Sequence, residues 1–173
     1  MSDGLSAAQR KERNTLAVHF IKAIFGQTIH QMAITFSYAN VRPLKWKVTP
    51  WKKWLKNLAE EEGFQLIELD YIFCSDAYLL EINIQHLNHH TYTDIISFDL
   101  SDEASPEDIE SEIYISLDRV AENAEKFRVP FETELARVLA HGLLHLCGYK
   151  DKTAQESAQM REKENYYISK SPT

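Results

Sequence analysis

Residues 141–151, HGLLHLCGYKD, form the most informative segment of this chain, because their spacing predicts both a helix and a cluster of side chains on it. Its two histidines, His141 and His145, are four positions apart, and a helix places such residues on one face, about 40° apart around its axis. The surrounding helix is apolar on nearly every side, which predicts that it is buried: Leu135, Val138, Leu139, Leu143, Leu144 and Leu146. Two imidazoles on a buried helix need polar partners, and one shared cation satisfies both.

A glycine predicts how a third ligand reaches the same point. Gly148 can adopt the left-handed conformation that ends a helix, and the chain can then turn back and bring in Asp151. Two histidines and one carboxylate leave a position open for water, as in catalytic zinc sites. We therefore interpret His141, His145 and Asp151 as ligands of one Zn²⁺ per chain. The alternative is a pair of core or surface histidines followed by an ordinary glycine cap.

The residue at position 142 argues against one class of zinc enzyme. Zinc proteases with the H-E-x-x-H pattern carry a glutamate next to the first histidine, whereas this chain has Gly142. A helical metalloprotease of that type is disfavoured, although a metal hydrolase with another non-RNA substrate stays open. Two histidines and a carboxylate also suit non-haem iron, but that site is usually built on the strands of a barrel.

The rest of the chain predicts a single α+β domain. Alternating or continuous apolar runs predict strands at residues 33–38, 66–74, 94–100 and 113–117. Capping residues and glycine stops predict helices at residues 51–62, 75–86, 118–127, 131–147 and 153–168. The order indicates a mixed sheet of about four strands packed with four to five helices, with the metal site on the buried helix.

The first part of the chain is predicted to be separate from this domain. Residues 1–31 form an N-terminal extension, either a helix or a disordered tail, and residues 32–173 form the functional domain. Residues 7–25 could make an amphipathic helix that ends at Gly26. A compact apolar run followed by a small-residue cleavage site, which a targeting segment would need, is not seen.

Composition limits the class of protein. A chain of 173 residues with 44% hydrophobic content can bury one good core. Its two cysteines, Cys74 and Cys147, make no disulfide framework and fit a reducing compartment, so we expect a cytoplasmic protein. The apolar stretches are shorter than the roughly 20 residues of a membrane span, so no membrane association is expected. The net charge of −7 argues mildly against bulk attraction to nucleic acid.

A local basic stretch is the candidate path for a nucleic acid. Residues 42–56 hold six basic side chains, no acidic one and three interleaved tryptophans. Lys52, Lys53 and Lys56 could attract phosphates while the tryptophans stack on bases. The alternative is a solvated face of an amphipathic helix whose Trp51 and Trp54 lie in the core. The acidic residues 102–112 indicate a solvated loop.

The helix motif resembles the signature of the YbeY family of rRNA maturation factors, and residues 93–98 with Asn83 are similar to a second conserved segment of that family. The resemblance covers residues 32–168. It implies a metal-dependent endoribonuclease that cleaves single-stranded RNA, matures the 3′ end of small-subunit rRNA and acts in ribosome quality control in the cytoplasm. It also implies the ribosome or ribosome-assembly proteins as partners. A non-catalytic ribosome-assembly factor with a structural zinc is the alternative.

Three positions depart from the family pattern. Asp151 stands where the family usually has a third histidine, Leu87 where it commonly has an arginine, and Ser111-Glu112 where it has Gly-Asp. Within the resemblance, the metal would polarise a phosphoryl oxygen and activate a nucleophile, either water or the ribose 2′-OH. Asp94 is the catalytic candidate, orienting water or a ligand histidine, although it could equally cap local backbone.

Overall fold

The computed structural model describes residues 33–173, which contain four strands and five helices. In chain order these are β1 (Ala33–Ala39), α1 (Val48–Glu61), β2 (Gln65–Cys74), α2 (Asp76–Leu87), β3 (Ile95–Asp99), β4 (Asp108–Ser116), α3 (Leu117–Phe127), α4 (Phe131–Leu146) and α5 (Ala154–Ile168). The predicted α+β class, with a four-stranded mixed sheet and five helices, is confirmed. The predicted N-terminal extension, residues 1–31, lies outside the described residues.

The sheet is mixed, in the order β1-β2-β4-β3. β1 pairs with β2 and β2 pairs with β4 in parallel, whereas β3 runs antiparallel to β4. The inner strands are therefore β2 and β4, and the face of each that packs against helices is mostly apolar, with the buried Ser111 on β4 as a polar exception. Parallel strands need such cover, which explains their buried side chains.

β4 is longer than the sequence pattern predicts. It begins at Asp108, so the second half of the acidic segment 102–112 is strand and the loop prediction is wrong there. The cause is a period-two alternation in which Ile109, Ser111, Ile113 and Ile115 point into the core. The acidic residues between them occupy the opposite face, where charge alone does not distinguish a strand from a loop.

Helices cover the two faces of the sheet unequally. The main core combines α1, α3, α4 and α5 with one face of the sheet, and Ile95 packs against it. The next residue, Ile96, belongs to a smaller core with Cys74 and Leu79, beneath α2. Because successive strand residues point to opposite faces, the two cores lie on opposite sides of the sheet.

α4 holds the central place among the helices. It contacts α1, α3 and α5 as well as strands β3 and β4, and nine of its residues are buried. The hydroxyl of Tyr71 on β2 donates a hydrogen bond to the Leu139 carbonyl at 3.0 Å, which fixes α4 against the sheet. The predicted burial of this helix is confirmed, and the two histidines are thereby carried on a rigid element.

The helix starts are only partly those expected. Ser75 caps α2, as predicted, by accepting a hydrogen bond from the Tyr78 amide at 3.3 Å. The first helix was predicted to start at residue 51, but α1 begins at Val48, and Lys47 at its N-cap makes no side-chain cap hydrogen bond. Pro50 then falls in the first turn, where its missing N–H removes no helix hydrogen bond. Among the described helices, none is long and apolar enough to cross a membrane.

Candidate metal centre

Two imidazole rings on α4 converge at one point. The Nε2 atoms of His141 and His145 lie 2.9 Å apart, as their spacing of one helical turn predicts. Their ring planes are almost perpendicular, at 87°. The side chains are 23% and 32% exposed, so both rings reach from the buried helix toward solvent.

The other ring nitrogens fix the tautomer of each histidine. Nδ1 of His141 lies 2.8 Å from a carboxylate oxygen of Glu164, and Nδ1 of His145 lies 2.8 Å from the Tyr149 carbonyl. Both partners can only accept, so each Nδ1 carries the proton and donates it. The Nε2 atoms of the two rings then face each other, and a metal ion shared between them would satisfy both.

The turn after α4 brings a carboxylate to the same point. Gly148 has φ +91° and its amide donates to the His145 carbonyl, while the Tyr149 amide donates to the Leu144 carbonyl, both at 3.0 Å. This is a Schellman ending, for which the left-handed glycine was predicted. An oxygen of Asp151 then lies 3.8 Å from Nε2 of His141 and 3.7 Å from Nε2 of His145.

The three ligand atoms have the right separations for one ion. Tetrahedral zinc with bonds of ~2.1 Å holds its ligand atoms ~3.4 Å apart, and the observed separations of 2.9, 3.8 and 3.7 Å lie on either side of that distance. This trio could therefore hold a metal ion, and it is the one such group of three among residues 33–173. The side chain of Asp151 is 45% exposed, so the site opens to solvent on that side.

Glu164 contacts this site and was not predicted from the sequence. It lies on α5 and is only 3% exposed, although the sequence marks this helix as polar. Burial raises the pKa of Glu164, but hydrogen bonds from His141 and Arg137 outweigh it and hold the pKa below the ordinary value. One signal was available, because Met160, Glu164 and Tyr167 share one helix face and the other two are apolar or aromatic core residues.

A second carboxylate anchors the loop that carries Asp151. Glu62, just after α1, accepts hydrogen bonds from the Tyr149 hydroxyl and from Nζ of Lys163, both at 2.7 Å, and from the Tyr167 hydroxyl. Burial raises the pKa of Glu62, and these three donors more than offset it, so the pKa is lowered. Tyr149 thus has two contacts: its carbonyl accepts from His145, and its hydroxyl donates to Glu62.

Asp94 is not joined to this trio by a hydrogen bond in the described part of the chain. It precedes β3, and its carbonyl accepts from the Ser116 amide at 2.9 Å. A carboxylate oxygen lies 3.5 Å from Nδ2 of Asn123, a long contact. The catalytic role of Asp94 therefore stays a prediction, and its backbone carbonyl has a local structural role.

Two of the three tryptophans of the basic stretch lie in the core. Trp51 and Trp54 are each 5% exposed, and Nε1 of Trp54 donates to the Tyr167 carbonyl at 3.0 Å. The prediction that these two tryptophans stack on bases is therefore wrong, because their apolar faces are used in packing. The alternative, an amphipathic helix with core tryptophans, describes α1.

The lysines of α1 lie outside that core. Lys53 is exposed, whereas Lys52 and Lys56 are half-buried, and Lys56 pairs with Glu60 at 3.4 Å. Attraction of phosphates by these three lysines stays a prediction.

Of the three departures from the family pattern, Asp151 belongs to the candidate ligand trio, whereas Leu87 and Ser111-Glu112 do not. Leu87 ends α2 with 45% exposure. On β4, Ser111 donates from Oγ to the Phe98 carbonyl at 2.9 Å, and Glu112 accepts from the Tyr114 hydroxyl at 3.0 Å. These two residues therefore have structural partners within the sheet.

Fold and site together define the class of protein: an α+β domain whose central helix and following turn bring together two histidines and a carboxylate that could hold one metal ion. The sequence profile of one family, Endoribonuclease YbeY, matches residues 39–171. The chain belongs to this family.

Individual relatives agree with this assignment. A protein named Endoribonuclease YbeY from Flavobacterium psychrophilum is 51% identical over 117 residues, which cover 68% of this chain and 81% of that protein. A protein of the same name from Bacteroides thetaiotaomicron is 42% identical over 134 residues, or 78% of this chain and 96% of that protein. The solution structure of TM1509 from Thermotoga maritima is similar with a TM-score of 0.57 and 29% identity, covering 79% of this chain and 87% of that one.

Proposed function

We propose that this chain is a zinc-dependent endoribonuclease that cleaves single-stranded RNA in rRNA maturation, at the 3′ end of small-subunit rRNA, and in ribosome quality control. One observation carries the proposal. The acceptor atoms of His141, His145 and Asp151 converge while both Nδ1 protons are engaged elsewhere, so three electron-pair donors face one point. Membership of the Endoribonuclease YbeY family supports RNA as the substrate and hydrolysis as the reaction.

Zinc is the ion that this donor set favours. Two imidazoles and one carboxylate with an open position are typical of catalytic zinc sites. Zn²⁺ bound there would supply Lewis acidity to a phosphoryl oxygen of the substrate and to the nucleophile. The carboxylate of Asp151 gives this site less positive charge than three histidines would.

The protein's own groups determine how RNA is admitted. The exposed side of Asp151 is the open side of the centre, so a flexible single strand can bring a phosphate there more easily than a stiff duplex. Lys52, Lys53 and Lys56 on α1 are the proposed phosphate contacts, and Asp94 is the proposed residue that orients the nucleophile or a ligand histidine. The expected partners are rRNA and the ribosome or its assembly proteins, in the cytoplasm. The unpaired Cys74 and Cys147 are compatible with that compartment.

An RNA-cleavage assay tests the proposed function. Purified protein is incubated with single-stranded RNA, duplex RNA and an unstructured peptide, each with zinc, with a chelator, and with zinc restored after chelation. We expect cleavage of single-stranded RNA alone, lost with chelator and regained with zinc. Asp151→Ala and His141→Ala should abolish it.

Two further variants sharpen the assay. Asp102→Ala removes an exposed loop carboxylate and should cleave like the native chain. Asp151→His offers an imidazole in place of the carboxylate and should keep metal binding. Full cleavage by Asp151→Ala at undiminished metal content would contradict the ligand assignment. Zinc binding without any RNA cleavage would instead favour a non-catalytic assembly factor.

A further inference from the structure

Glu164 is a buried carboxylate whose two oxygens have different partners. Oε1 accepts the hydrogen bond from Nδ1 of His141 at 2.8 Å. Oε2 accepts from Nη1 of Arg137 at 2.9 Å and lies 3.0 Å from Nη1 of Arg161. The carboxylate therefore joins α5 to α4 through an ion pair and, separately, contacts a ring of the candidate metal centre.

The ion pair alone does not account for Glu164. Burying a carboxylate is costly unless its charge is compensated, and the two guanidinium groups on Oε2 provide that compensation. A salt bridge between the two helices would be complete with Oε2 and Arg137. Oε1 instead points at His141, on the face of α4 that also carries His145.

We propose that Glu164 is a positioning residue of the metal centre, which holds His141 as the Nδ1–H tautomer and aims its Nε2 lone pair at the bound ion. This inference rests on the proposed function and adds a residue to it. Ligand histidines in proteins commonly donate their second ring N–H to a carboxylate or carbonyl, which fixes ring orientation and makes the ring a stronger ligand. Arg137 and Arg161 both contact Oε2 of Glu164, which leaves Oε1 to accept the hydrogen bond from Nδ1–H of His141.

The two ligand histidines are consequently held in unequal ways. His145 donates to the Tyr149 carbonyl, a neutral acceptor that belongs to the backbone and that a substitution cannot remove. His141 donates to a charged side chain, which polarises its ring more strongly. Substitution at Glu164 therefore acts on one ligand only and leaves the other as an internal reference.

The test measures zinc affinity, which should not change if Glu164 only stabilises the packing of α5 against α4. The dissociation constant is measured by competition with a chromophoric chelator for the native chain, Glu164→Ala and Glu164→Gln. We expect Glu164→Ala to bind zinc about 10–100-fold more weakly. Glu164→Gln has one amide oxygen, which cannot accept from both His141 and the two guanidinium groups, so we expect it to bind zinc more weakly than the native chain as well. Glu162→Gln, two positions earlier on α5 and exposed, is the matched control and should bind like the native chain.

Folding is monitored separately. Thermal unfolding of each metal-free variant shows whether the chain is folded under the conditions of the titration. Glu164→Gln is close to isosteric, so it keeps the test valid where Glu164→Ala unfolds. The inference would be overturned if every Glu164 variant that is folded bound zinc with the affinity of the native chain.

The native chain provides a second test that needs no substitution. Nitrogen-15 chemical shifts of the His141 ring in the metal-free protein distinguish the two tautomers, and we expect Nδ1 to carry the proton. A ring protonated only at Nε2 would overturn the inference. A native chain that binds no zinc would overturn both the proposed function and this inference. A native chain that binds zinc but leaves RNA intact would overturn the nuclease proposal alone, since the Glu164 affinities would still decide the positioning role.

Discussion

A Cβ atom on Gly142 would lie 2.7 Å from Cδ1 of Ile95, so α4 approaches β3 this closely because residue 142 has no side chain. Two atoms of Ile113 on β4 lie 3.2 and 3.3 Å from the same position. The position that holds the catalytic glutamate in H-E-x-x-H proteases therefore faces two isoleucines of the sheet. A carboxylate there would be buried without a partner, which gives a structural reason for disfavouring a protease of that type.

Gly142→Ala should destabilise the domain modestly. Overpacking lowers the free energy of unfolding by about 1–3 kcal/mol, and the better helix propensity of alanine raises it by up to about 1 kcal/mol. We therefore expect the free energy of unfolding to fall by about 1 kcal/mol. Urea unfolding of the metal-free protein measures it. Ile95→Val removes Cδ1, so the double variant should lose less than the sum of the two single variants. A Gly142→Ala variant more stable than the native chain would contradict this packing argument.

Zinc should stabilise the native chain against heat, and removal of zinc should reverse the effect. A ligand that binds only the folded state at 100 times its dissociation constant adds about 2.7 kcal/mol to the free energy of unfolding. Differential scanning calorimetry with zinc and with a chelator measures the shift in Tm. Asp151→Ala should lose most of this shift, whereas Asp102→Ala should keep it. An equal shift in Asp151→Ala would mean that zinc binds elsewhere.

The lysines of α1 are tested by RNA affinity at several salt concentrations. Each phosphate contact on a single strand contributes about −0.7 to the slope of log K against log salt. Replacing Lys52, Lys53 and Lys56 with glutamate should therefore weaken binding and flatten the slope by up to about 2. Lys126→Glu is the matched control, because it reverses the charge of an exposed lysine on α3. Lys53→Glu should weaken RNA binding more than this control does. Unchanged affinity in the triple variant would exclude α1 from the RNA path.

Glu62 should contribute to stability at neutral pH and lose that contribution in acid. Its pKa in the folded chain is lowered below 4.5, its ordinary value, despite burial, by hydrogen bonds from Lys163, Tyr167 and Tyr149. A lowered folded pKa means stabilisation that is complete above the unfolded pKa and disappears as pH falls through the folded pKa. Glu62→Gln should be less stable than the native chain at pH 7, with a difference that narrows below about pH 4.5. Urea unfolding across this pH range measures it, and a constant difference would contradict the assignment.

Local patterns were sufficient to predict most elements and the convergence of His141, His145 and Asp151. His141 and His145 converge because helix geometry alone fixes residues four apart, and Asp151 follows because Gly148 ends the helix in the conformation expected of glycine. Both facts depend only on neighbours in sequence. They were therefore predictable without knowing how the helices pack.

Residues whose role depends on packing between elements were not predictable. Glu164 meets His141 only because α5 lies against α4, and no spacing within α5 specifies that contact. For the same reason the sequence left two interpretations of Trp51 and Trp54 open, base stacking and packing in the core, because interleaved basic residues fit a nucleic-acid surface and an amphipathic helix alike. The early start of β4 was missed because acidic side chains on an open sheet face look like a loop.

The inner position of β4 has a consequence for the route by which the chain folds. β4 pairs with β2 across the intervening α2 and β3, and these non-local contacts close slowly compared with helices. α4 packs on β3 and β4, and Gly142 fits only against their finished surface. We therefore expect amides of α4 to gain protection in pulsed hydrogen exchange no earlier than those of β4. A refolding chain would then become able to capture zinc only near the end of its folding reaction.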